Sequence, residues 1–521
     1  MQPSTAPIKT ALISTSDKTQ LLPFVEALVA LNITILATGK TAEYLMANGI
    51  SITEVSDYTG FPEIMGGRVK TLHHKIHAGI LSRRGIDDAV LKEHDFESID
   101  LVVVNLYPFE QTIQDPECTV EKAIENIDIG GPSLLRGAAK NHSAVTALVD
   151  PADYTRVITE LKETGGTSLE MRRQLAQKVF AYVAHYDAIV AHYLGQIDQD
   201  EDSLFTNVYQ DYFRKKMDLR YGENPHQKAA WYQDQSRLGL GHAEQLQGKE
   251  LSFNNLLDSD AAINCVQDLP EEVPACVIVK HGSPCGVAAA SDQFDAYQKA
   301  YATDPNSAFG GVIAFNTPLN YVTAEMILAQ QFVEVILAPA VHDDVIHLLH
   351  NKPNVRVLCY KPNRDSKALT HHSISGGLLL QERDLINLDP KQLVTVTQRA
   401  PTSAEMEDLI FAWTVVKWTK SNAIIYAKNL STLGIGAGQC SRVFSAEIAI
   451  LKARYAELNL KGSVMASDAF FPFPDAIEIA INAGITAIIQ PGGSKNDPEI
   501  IAAADKAGIA MLMTGIRHFR H

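Results

Sequence analysis

The chain has 521 residues, of which 46% are hydrophobic and 20% charged, a composition that predicts a globular protein of roughly three domains. Its formal net charge of -16 argues against a general nucleic-acid or membrane-surface binder, because such proteins carry a basic field. Six scattered cysteines without a CxxC pair, no signal-peptide run and no apolar stretch of about 18 residues predict a cytoplasmic protein with neither disulfide framework, zinc site nor membrane span.

Strand and helix patterns alternate along the first part of the chain. The predicted strands are Thr10–Ser14, Ile33–Ala37, Ile99–Val104 and Val145–Val149, and the predicted helices are Lys18–Leu31, Ala42–Ala47, Pro151–Lys162 and Leu169–Leu194. The run IDLVVV is continuously apolar, as expected for a strand buried on both faces. This alternation predicts an α/β fold with a mostly parallel, doubly wound sheet, whose ligands bind at the carboxyl ends of the strands.

The polar, acidic stretch Gln196–Ser203 interrupts the alternation and predicts a boundary between domains 1–200 and 201–521. The second part has predicted strands at Ala275–Val279, Gly311–Phe315, Ile424–Tyr426, Leu433–Gly436, Thr486–Gln490 and Ala510–Thr514. It is too long for one small domain, so we expect two α/β subdomains divided near residues 360–400. No short-period repeat or low-complexity tract is evident.

A basic island, GGRVKTLHHKIHAGIL at Gly66–Leu81, stands out in this acidic chain. Arg68 offers a planar fork for phosphate, Lys70 a mobile ammonium and Thr71 a hydroxyl, while the paired glycines allow close approach of a ligand. The segment is predicted to be loop-like and to bind an anion. The alternative is a solvated surface loop.

Two strand–helix junctions carry further anion-binding side chains. Ser14, Ser16 and Lys18 follow the first predicted strand, and Thr38, Gly39, Lys40 and Thr41 follow the second. Orphan N–H groups and the helix dipole favour an anion at such places, although helix capping by Ser and Thr is the common alternative. A doubly wound sheet would bring both junctions and the basic island to one edge.

Two more polar clusters follow strand ends. Asn105 and Tyr107 come directly after IDLVVV, and Asp128 precedes a helix that contains Lys140. Twelve residues separate Asp128 from Lys140, so they could lie at opposite ends of that helix. The alternative to a catalytic role is a cap at one end and dipole neutralisation at the other.

The motifs STSDK, GGRVKTLH, NLYPF and IDIGGPSLLRGAAKNH resemble the IMP cyclohydrolase domain of the bifunctional AICAR transformylase/IMP cyclohydrolase family of purine biosynthesis. The resemblance covers residues 8–150 and implies a fold similar to methylglyoxal synthase. One departure is TLHHK, where His74 replaces the family's proline, so this loop is expected to be less rigid.

The resemblance implies ring closure, in which the carboxamide nitrogen of a formylated aminoimidazole carboxamide ribotide attacks the formyl carbon and water leaves. It suggests that Lys140 and Asp128 handle protons, while Lys70 and Tyr107 stabilise or protonate the oxygen. Phosphate and ribose would be held by Ser14, Ser16, Lys18, Thr38, Gly39, Lys40, Arg68 and Thr71, with Asn105 close to the base.

The second part opens with RYGENPHQ at Arg220–Gln227, and KHGSPCG at Lys280–Gly286 follows the strand ACVIV. A neighbouring ammonium disfavours imidazolium, so His281 beside Lys280 could stay neutral and act as a base near pH 7. The alternatives are a structural histidine with an exposed lysine, and a plain turn formed by the following Pro and Gly.

These segments, with DPNSAFGG, FVEVILAP, KSN, GIGAGQ, SDAFFPF and the tail RHFRH, resemble the AICAR transformylase region of the same family. The resemblance implies duplicated cytidine-deaminase-like α/β subdomains, sites built across a homodimer, and small-molecule nucleotide and folate substrates. The reaction implied is formyl transfer from 10-formyltetrahydrofolate, as co-substrate, to the amine of AICAR. No catalytic metal is expected, and whether a structural potassium ion binds is left open.

Within this region His281 is the predicted base, and Lys280 would keep it neutral and assist the leaving group or oxyanion. Asn422 would hydrogen-bond the formyl oxygen. The remaining binding residues implied by the resemblance are Arg220 and Arg517 for phosphate, Tyr221, Asn255, Phe470 and His521 for the nucleotide pocket, Phe309 and Glu334 facing folate or nucleotide, and Gln439 of GIGAGQ.

The sequence also bears on three other classes of protein. A nicotinamide oxidoreductase would need GxGxxG, but Gly434, Gly436 and Gly438 give GxGxG. A zinc deaminase would need PCxxC, but Cys285 lacks the second cysteine, and His73 and His77 lack a third ligand. A nucleotide-sensing regulator would explain the phosphate-binding residues but not the catalytic clusters.

Overall fold

The computed structural model describes residues 5–197, 204–234, 236, 238–363 and 369–521. These residues form two compact units, one ending at Tyr212 and one beginning at Phe213. The predicted boundary at residues 200 and 201 lies outside the described residues. Within the described part of the chain, no helix has both the length and the apolar character that are needed to cross a bilayer.

The first unit alternates strands and helices, as the sequence predicts. Its strands are β1 Thr5–Pro7, β2 Thr10–Thr15, β3 Thr34–Ala37, β4 Thr53–Glu54, β5 Leu101–Asn105, β6 Thr146–Leu148 and β7 Gly166–Ser168. Its helices are α1 Leu21–Ala30, α2 Gly39–Ala47, α3 Val55–Thr59, α4 His74–Leu81, α5 Asp88–Glu93, α6 Phe109–Gln114, α7 Val120–Glu125, α8 Gly130–Lys140, α9 Tyr154–Thr164 and α10 Leu169–Gln196.

The sheet of this unit has the order β4-β3-β2-β5-β6, and every neighbouring pair is parallel. Alternate residues of β2 enter opposite apolar layers, Leu12 on one side and Ala11 and Ile13 on the other. Helices α4, α8 and α10 cover the first face, and α1, α2 and α9 cover the second. The predicted doubly wound α/β fold is therefore confirmed.

The strand order reverses between β2 and β5, because β3 lies on one side of β2 and β5 on the other. Such a switch point opens a crevice at the carboxyl ends of the strands, where ligands bind in this fold class. One prediction needs correction here: Gly66–Leu81 is only partly a loop. Met65–Gly67 is a short 3-10 helix, and His74–Leu81 is α4.

The second unit contains the remaining elements. Its strands are β8 Arg214–Leu219, β9 Ala229–Gln233, β10 Glu244–Gln247, β11 Ala275–Lys280, β12 Ser283–Ala289, β13 Gly311–Phe315, β14 Val333–Ala338, β15 Arg356–Cys359, β16 Leu369–Ile374, β17 Gly377–Glu382, β18 Val394–Thr395, β19 Ile424–Lys428, β20 Ser431–Gly436, β21 Val464–Ser467, β22 Ala487–Gln490 and β23 Ala510–Met513. Its helices are α11 Phe253–Gln267, α12 Gln293–Thr303, α13 Pro305–Ala308, α14 Tyr321–Gln330, α15 Asp343–Leu349, α16 Ser403–Lys417, α17 Arg442–Tyr455, α18 Asp475–Ala483 and α19 Asp497–Lys506.

A twelve-stranded sheet in this unit contains two copies of one pattern. In the first copy β11 pairs antiparallel with β12 and β13, and β13, β14 and β15 are parallel. In the second copy β19 pairs antiparallel with β20 and β21, and β21, β22 and β23 are parallel. Strands β12 and β20 join the copies through Ala288 and Ser431.

Each copy has its own helical layer, while α11 and α16 share one central core. Helices α12, α14 and α15 cover the outer face of the first copy, and α17, α18 and α19 cover that of the second. The hairpin β16–β17 lies within the segment where the subdomain split is predicted, and residues 364–368 of that segment lie outside the described residues.

Candidate functional site

The loops after β2 and β5 are tied together at the switch point of the first unit. The Asn105 Oδ1 accepts the N–H groups of Ser16 at 2.5 Å and Asp17 at 2.9 Å, and its Nδ2 donates to the Asp17 carbonyl at 3.0 Å. The Ser16 hydroxyl donates to the Leu106 carbonyl at 3.0 Å. Asn105 and Ser16 thus fix the two loops to each other at the crevice through hydrogen bonds to backbone groups.

Lys18 lies beside the start of α2. Its ammonium donates to the Thr41 hydroxyl at 3.3 Å and to the Thr15 carbonyl, and Thr41 donates to that same carbonyl at 2.9 Å. Burial lowers the pKa of Lys18, and the charge of Lys40 lowers it further. Two lysines are therefore gathered at a place that a bound anion would stabilise.

The expected alternative of Ser and Thr capping does not occur at these two junctions. Thr38 is the N-cap of α2 and Gln20 that of α1, and neither side chain makes a capping hydrogen bond. The first N–H groups of α2 therefore have no side-chain cap, which suits an anion at this helix N-terminus.

The basic island brings Lys70 to the same edge. A Cβ placed on Gly39 would lie 3.4 Å from the Lys70 Nζ, and one on Gly67 would lie 2.8 Å from the Lys70 Cε. Gly67 has φ +95°, so the backbone disfavours any larger residue there. Lys70 also pairs with Glu63 at 2.9 Å, a contact that the sequence did not indicate.

Asp128 and Thr71 meet at the N-terminus of α8. The Asp128 Oδ1 accepts the N–H of Gly131 at 2.8 Å, and a Cβ on Gly130 would lie 2.8 Å from the Thr71 hydroxyl. Burial raises the pKa of Asp128, against hydrogen bonds from the backbone of Gly131 and Tyr107. The structure thus brings Thr71, Tyr107 and Asp128 together, with an acid that protonates more readily than an exposed aspartate.

Lys140 and Arg68 do not join this cluster within the chain. Lys140 is the exposed last residue of α8, about 15 Å along the helix axis from its first residue. The idea that Asp128 and Lys140 share one reacting centre of a single copy is therefore not supported, because the helix is rigid. Arg68 is exposed and forms an ion pair with Glu125, so it is held away from phosphate unless a ligand displaces that carboxylate.

His74 occupies the first position of α4, where proline would also be tolerated because its N–H has no helical partner. Its ring stacks on His73 at 4.2 Å and lies 5.5 Å from Phe96. His73 caps α4 by accepting the Lys75 N–H at 3.1 Å. Aromatic packing therefore takes the place of the proline ring, and the expectation of a looser loop finds no support at this position.

In the second unit the Lys–His pair lies at a tight turn. Lys280 and Ser283 are cross-strand partners at the end of the β11–β12 hairpin, and His281 and Gly282 between them have φ 55° and 73°. The Lys280 ammonium donates to the Gly310 carbonyl at 2.7 Å. His281 is exposed, whereas Lys280 is half-buried. The turn thus presents the imidazole outward beside an anchored ammonium.

A second segment crosses this turn. The Asn422 Nδ2 donates to the Gln439 carbonyl at 2.7 Å, and the Lys420 N–H reaches the Ser283 hydroxyl at 3.4 Å. A Cβ on Gly282 would lie 3.4 Å from the Lys420 Cε. Asn422 and Gln439 are therefore linked, and Lys420 brings their segment to the Lys280 turn.

The C-terminal tail lies against the segment that contains Lys420 and Asn422. Ser421 donates its N–H to the Arg520 carbonyl at 2.8 Å, so His521 is adjacent to the Asn422 segment. The Arg517 guanidinium lies 4.6 Å from the centre of the Phe519 ring, and His521 packs on the same ring at 5.9 Å. Two predicted binding residues are thus ordered by one aromatic ring.

The remaining predicted residues are placed as follows. Arg220 donates to the Tyr221 hydroxyl at 2.8 Å. Phe309 is 64% exposed and packs 5.5 Å from Phe332, next to Gly310 and hence Lys280. Phe470 is 39% exposed after β21. Predicted ligand contacts of these residues stay predictions.

Two predicted residues have structural partners. The Asn255 Oδ1 accepts the Ser252 N–H at 3.1 Å, which completes a capping box at α11, and Asn255 is buried. Glu334 pairs with Arg356 at 2.7 Å. Both contacts compete with the binding roles implied for these side chains.

Sequence reasoning missed several residues that shape these sites. Thr41 is predicted only as part of the second junction, whereas in the structure its hydroxyl accepts from the Lys18 ammonium and donates to the Thr15 carbonyl. Lys420 lies in the KSN motif, but the motif alone does not indicate its contact with the Lys280 turn. Asp258, which accepts the Gly282 N–H at 2.6 Å, carries no motif, and only the fold reveals it.

The glycines of the oxidoreductase alternative have a packing role. A Cβ on Gly436 would overlap the Ser445 carbonyl oxygen, and one on Gly434 would overlap that of Ala449. Both carbonyls belong to α17, which crosses β20 closely. Among the described residues, no group of three or more His, Cys, Asp or Glu side chains is placed to hold a metal ion.

One chain thus contains a parallel-sheet unit with a crevice at its switch point and a duplicated α/β unit with a Lys–His turn, the architecture of a two-domain α/β protein with one candidate site in each unit. The family model described as the AICARFT/IMPCHase bienzyme matches residues 138–452, and the MGS-like domain model matches residues 20–133. The chain therefore belongs to the AICARFT/IMPCHase bienzyme family, a bifunctional protein of purine biosynthesis.

One solved structure, described as "Crystal structure of ForH", is 36% identical and covers 36% of this chain and 100% of its own, with a TM-score of 0.33. Family membership makes the chain a formyltransferase that acts on AICAR with a formyl-folate co-substrate, and an IMP cyclohydrolase. The predicted function is confirmed, and the oxidoreductase and deaminase alternatives gain no support.

Proposed function

We propose that the cyclohydrolase reaction takes place at the carboxyl edge of the first sheet, around Lys70, Tyr107 and Asp128. The observation that carries this proposal is the convergence of Lys70, Thr71 and Asp128 on glycines at the starts of α2 and α8. Larger residues at these glycines would fill the crevice, so the backbone is kept open for a ligand. The product of this site is IMP.

The reaction moves two protons from nitrogen to the formyl oxygen, which leaves as water: one comes from the carboxamide nitrogen during attack, and one comes from a ring nitrogen as the hydroxyl leaves and the C=N bond forms. Asp128 suits this exchange, because burial raises its pKa and favours the protonated form. Lys70 is held by Glu63 at 2.9 Å and can stabilise the developing oxyanion. Tyr107 is 46% exposed at this edge, and its hydroxyl can donate to the same oxygen.

The ribotide phosphate is proposed to bind at the N-terminus of α2, between Lys18 and Lys40. Uncapped N–H groups at Thr38 and Gly39 provide donors, and the two lysines provide charge. Ser14 and Ser16 line the neighbouring loop, with Asn105 on the side of the base. Arg68 would join only after releasing Glu125.

Lys140 is proposed to act on the cyclohydrolase site of a second copy of the chain. Within its own copy, Lys140 lies at the far end of α8 from Asp128, where its side chain is exposed.

A homodimer is also implied for the transferase by the family resemblance. The exposed hairpin β16–β17 supports it: Leu378 is 44% and Leu379 55% exposed, and consecutive strand residues face opposite sides. An isolated two-stranded hairpin is marginal in water, so we propose that a second copy covers it.

Formyl transfer is proposed at the Lys280–Ser283 turn. The AICAR amine is a weak nucleophile, so His281 accepts its proton during attack on the formyl carbon of 10-formyltetrahydrofolate. Lys280, fixed on the Gly310 carbonyl at 2.7 Å, assists the tetrahedral oxygen or the departing folate nitrogen. Asn422 uses one N–H on Gln439, and its other N–H can donate to the formyl oxygen.

The surrounding residues are proposed to bind the two substrates. Arg220 and Arg517 hold the ribotide phosphate, and Tyr221, Phe470 and His521 border the nucleotide. Phe309 presents an exposed ring next to Gly310, where a folate ring could stack. We propose that Asn255, Glu334 and Gln439 contact the substrates only through atoms that are not engaged in hydrogen bonds or ion pairs within the protein.

We further propose a cytoplasmic location, which the six free thiols support because such thiols persist in a reducing compartment. A structural potassium ion stays a prediction, and no residue set is assigned to it. Replacing potassium by tetramethylammonium in the assay, with activity and thermal unfolding as readouts, tests for such an ion.

The central experiment measures both reactions in each variant. His281→Ala should lower formyl transfer by about 100-fold or more and leave cyclohydrolase intact, because general-base catalysis contributes about that factor. Lys70→Ala should lower cyclohydrolase activity and leave formyl transfer intact. If either substitution removed both activities in a chain that still folds, two separate sites would be excluded. Retained transfer in His281→Ala would exclude His281 as the base.

A further inference from the structure

The two copies of the pattern in the second unit repeat one turn. The Lys280–Ser283 turn in the first copy corresponds to Lys428–Ser431 in the second, and each pair is the cross-strand partner at its hairpin end. The central residues are left-handed in both, with φ 55° and 73° in the first turn and 53° at both Asn429 and Leu430 in the second. Two positive φ values define the primed turn that a tight hairpin needs.

Left-handed backbone is unfavourable for residues other than glycine, so such a turn needs support from its surroundings. In the second copy Asp408 provides it, accepting the N–H of Asn429 at 2.9 Å and of Leu430 at 2.7 Å. In the first copy the Asp258 Oδ1 accepts the Gly282 N–H at 2.6 Å. One carboxylate thus holds each turn.

Asp258 and Asp408 occupy equivalent positions. Asp258 lies on α11, six residues after the N-cap Ser252, and Asp408 lies on α16, six residues after the N-cap Thr402. Both helices begin with a capping box and share the central core. The carboxylate–turn contact is therefore part of the duplicated scaffold, while only the first turn carries a Lys–His pair.

We infer that Asp258 is a positioning residue for formyl transfer: its carboxylate fixes the turn that presents Lys280 and His281. This inference rests on the proposed role of that turn. A rigid turn matters because a displacement of about 1 Å in a reacting group can cost about 100-fold in rate. The Asp258 carboxylate accepts a backbone N–H of the turn, so it acts through the two residues that it orients.

The test compares three substitutions at one position. Asp258→Ala removes the acceptor and should lower kcat for formyl transfer by about 100-fold, with KM for AICAR changed by less than about threefold. Asp258→Asn keeps an acceptor oxygen and should retain kcat within about threefold. Asp258→Glu keeps the charge but moves the acceptor by one methylene, and should lower kcat by at least about tenfold.

Two controls separate positioning from loss of fold. Asp408→Ala removes the same contact in the second copy and should leave transfer within about threefold of the unmodified chain, and cyclohydrolase activity should persist in every variant. If Asp258→Ala failed to fold, the pair Asp258→Asn and Asp258→Glu would carry the test. Unchanged kcat in Asp258→Ala, an equal loss in Asp408→Ala, or a loss in Asp258→Asn as deep as in Asp258→Ala would overturn the inference.

His281→Ala is measured in parallel to keep the two hypotheses apart. If His281→Ala were active, the base assignment would fail whatever Asp258 does. If His281→Ala were inactive and Asp258→Ala fully active, only the positioning role would be lost. In the double variant the loss should be smaller than the product of the two single losses, because part of the effect of Asp258 is exerted through His281, which is already removed.

Discussion

Gly436 of β20 packs directly beneath the carbonyl of Ser445 on α17, so that a Cβ at Gly436 would overlap the carbonyl oxygen. Gly436→Ala is therefore expected to destabilise the second unit by roughly 1–3 kcal/mol, because the helix must move away from the sheet. Urea unfolding followed by fluorescence measures the change. Gly241→Ala is the matched control, since its Cβ would lie 3.8 Å from Gln233 and should be nearly neutral. Equal stability of both variants would contradict the packing role.

Asp128→Asn is expected to stabilise the first unit while abolishing cyclisation. Folding raises the pKa of Asp128 above its ordinary 3.8 by burial, so the folded chain loses stability as the pH rises through the two pKa values. Removing the charge should therefore raise Tm near pH 8, and the gain should shrink toward acid pH and vanish below about pH 3.8.

Asp115→Asn is the matched control for this pH dependence. Hydrogen bonds from the backbone at Glu117 and from Lys122 lower the pKa of Asp115, so its charge favours folding at neutral pH. The control should give no gain in Tm at any pH. A gain in Asp128→Asn that was the same at every pH would show that burial of charge is not the cause.

Binding of a nucleoside monophosphate to the first unit should weaken as the pH rises toward the lowered pKa of Lys18, before ordinary lysines titrate at 10.5. Lys40→Met should raise the pKa of Lys18, because it removes a neighbouring positive charge, and move this weakening to higher pH. Calorimetric titration with IMP across alkaline pH measures it. A pH profile unaffected by Lys40→Met would remove Lys18 from the phosphate site.

Lys140→Ala is expected to abolish cyclisation and spare formyl transfer. If Lys140 serves a second copy, co-expression with Lys70→Ala should restore about a quarter of the activity, since half of randomly paired dimers carry one intact site of two. Co-expression of Lys70→Ala with Asp128→Asn should restore nothing, because both residues serve the site of their own copy, so each site of a mixed dimer carries one change. Absence of restoration in the first mixture would place Lys140 outside the partner's site.

If a second copy covers the β16–β17 hairpin, Leu379→Asp is expected to convert the proposed dimer to monomer, as measured by light scattering after size-exclusion chromatography. The charge would be buried under the second copy at the β16–β17 hairpin. Val322→Asp is the control, an exposed apolar residue on α14 at 59% exposure. A dimer that survives Leu379→Asp unchanged would place the interface elsewhere.

The sequence alone determined the alternation of β2, β3 and β5 with helices, and hence the parallel sheet. This works because apolar periodicity is a local property of the chain. It also placed Ser16, Lys18 and Lys40 at strand ends, since covalent adjacency fixes which side chains follow a strand. The parallel topology then gathers them at one edge.

Only the tertiary structure decided which residues meet across long stretches of chain. It separated Asp128 from Lys140 by the length of α8, and it brought Asp258 to Gly282, 24 residues away. The family resemblance implies the duplication, but only the structure shows that KHGS and KNLS are equivalent turns, because they share backbone geometry although their central residues differ. Backbone conformation and packing, not local composition, set these relationships.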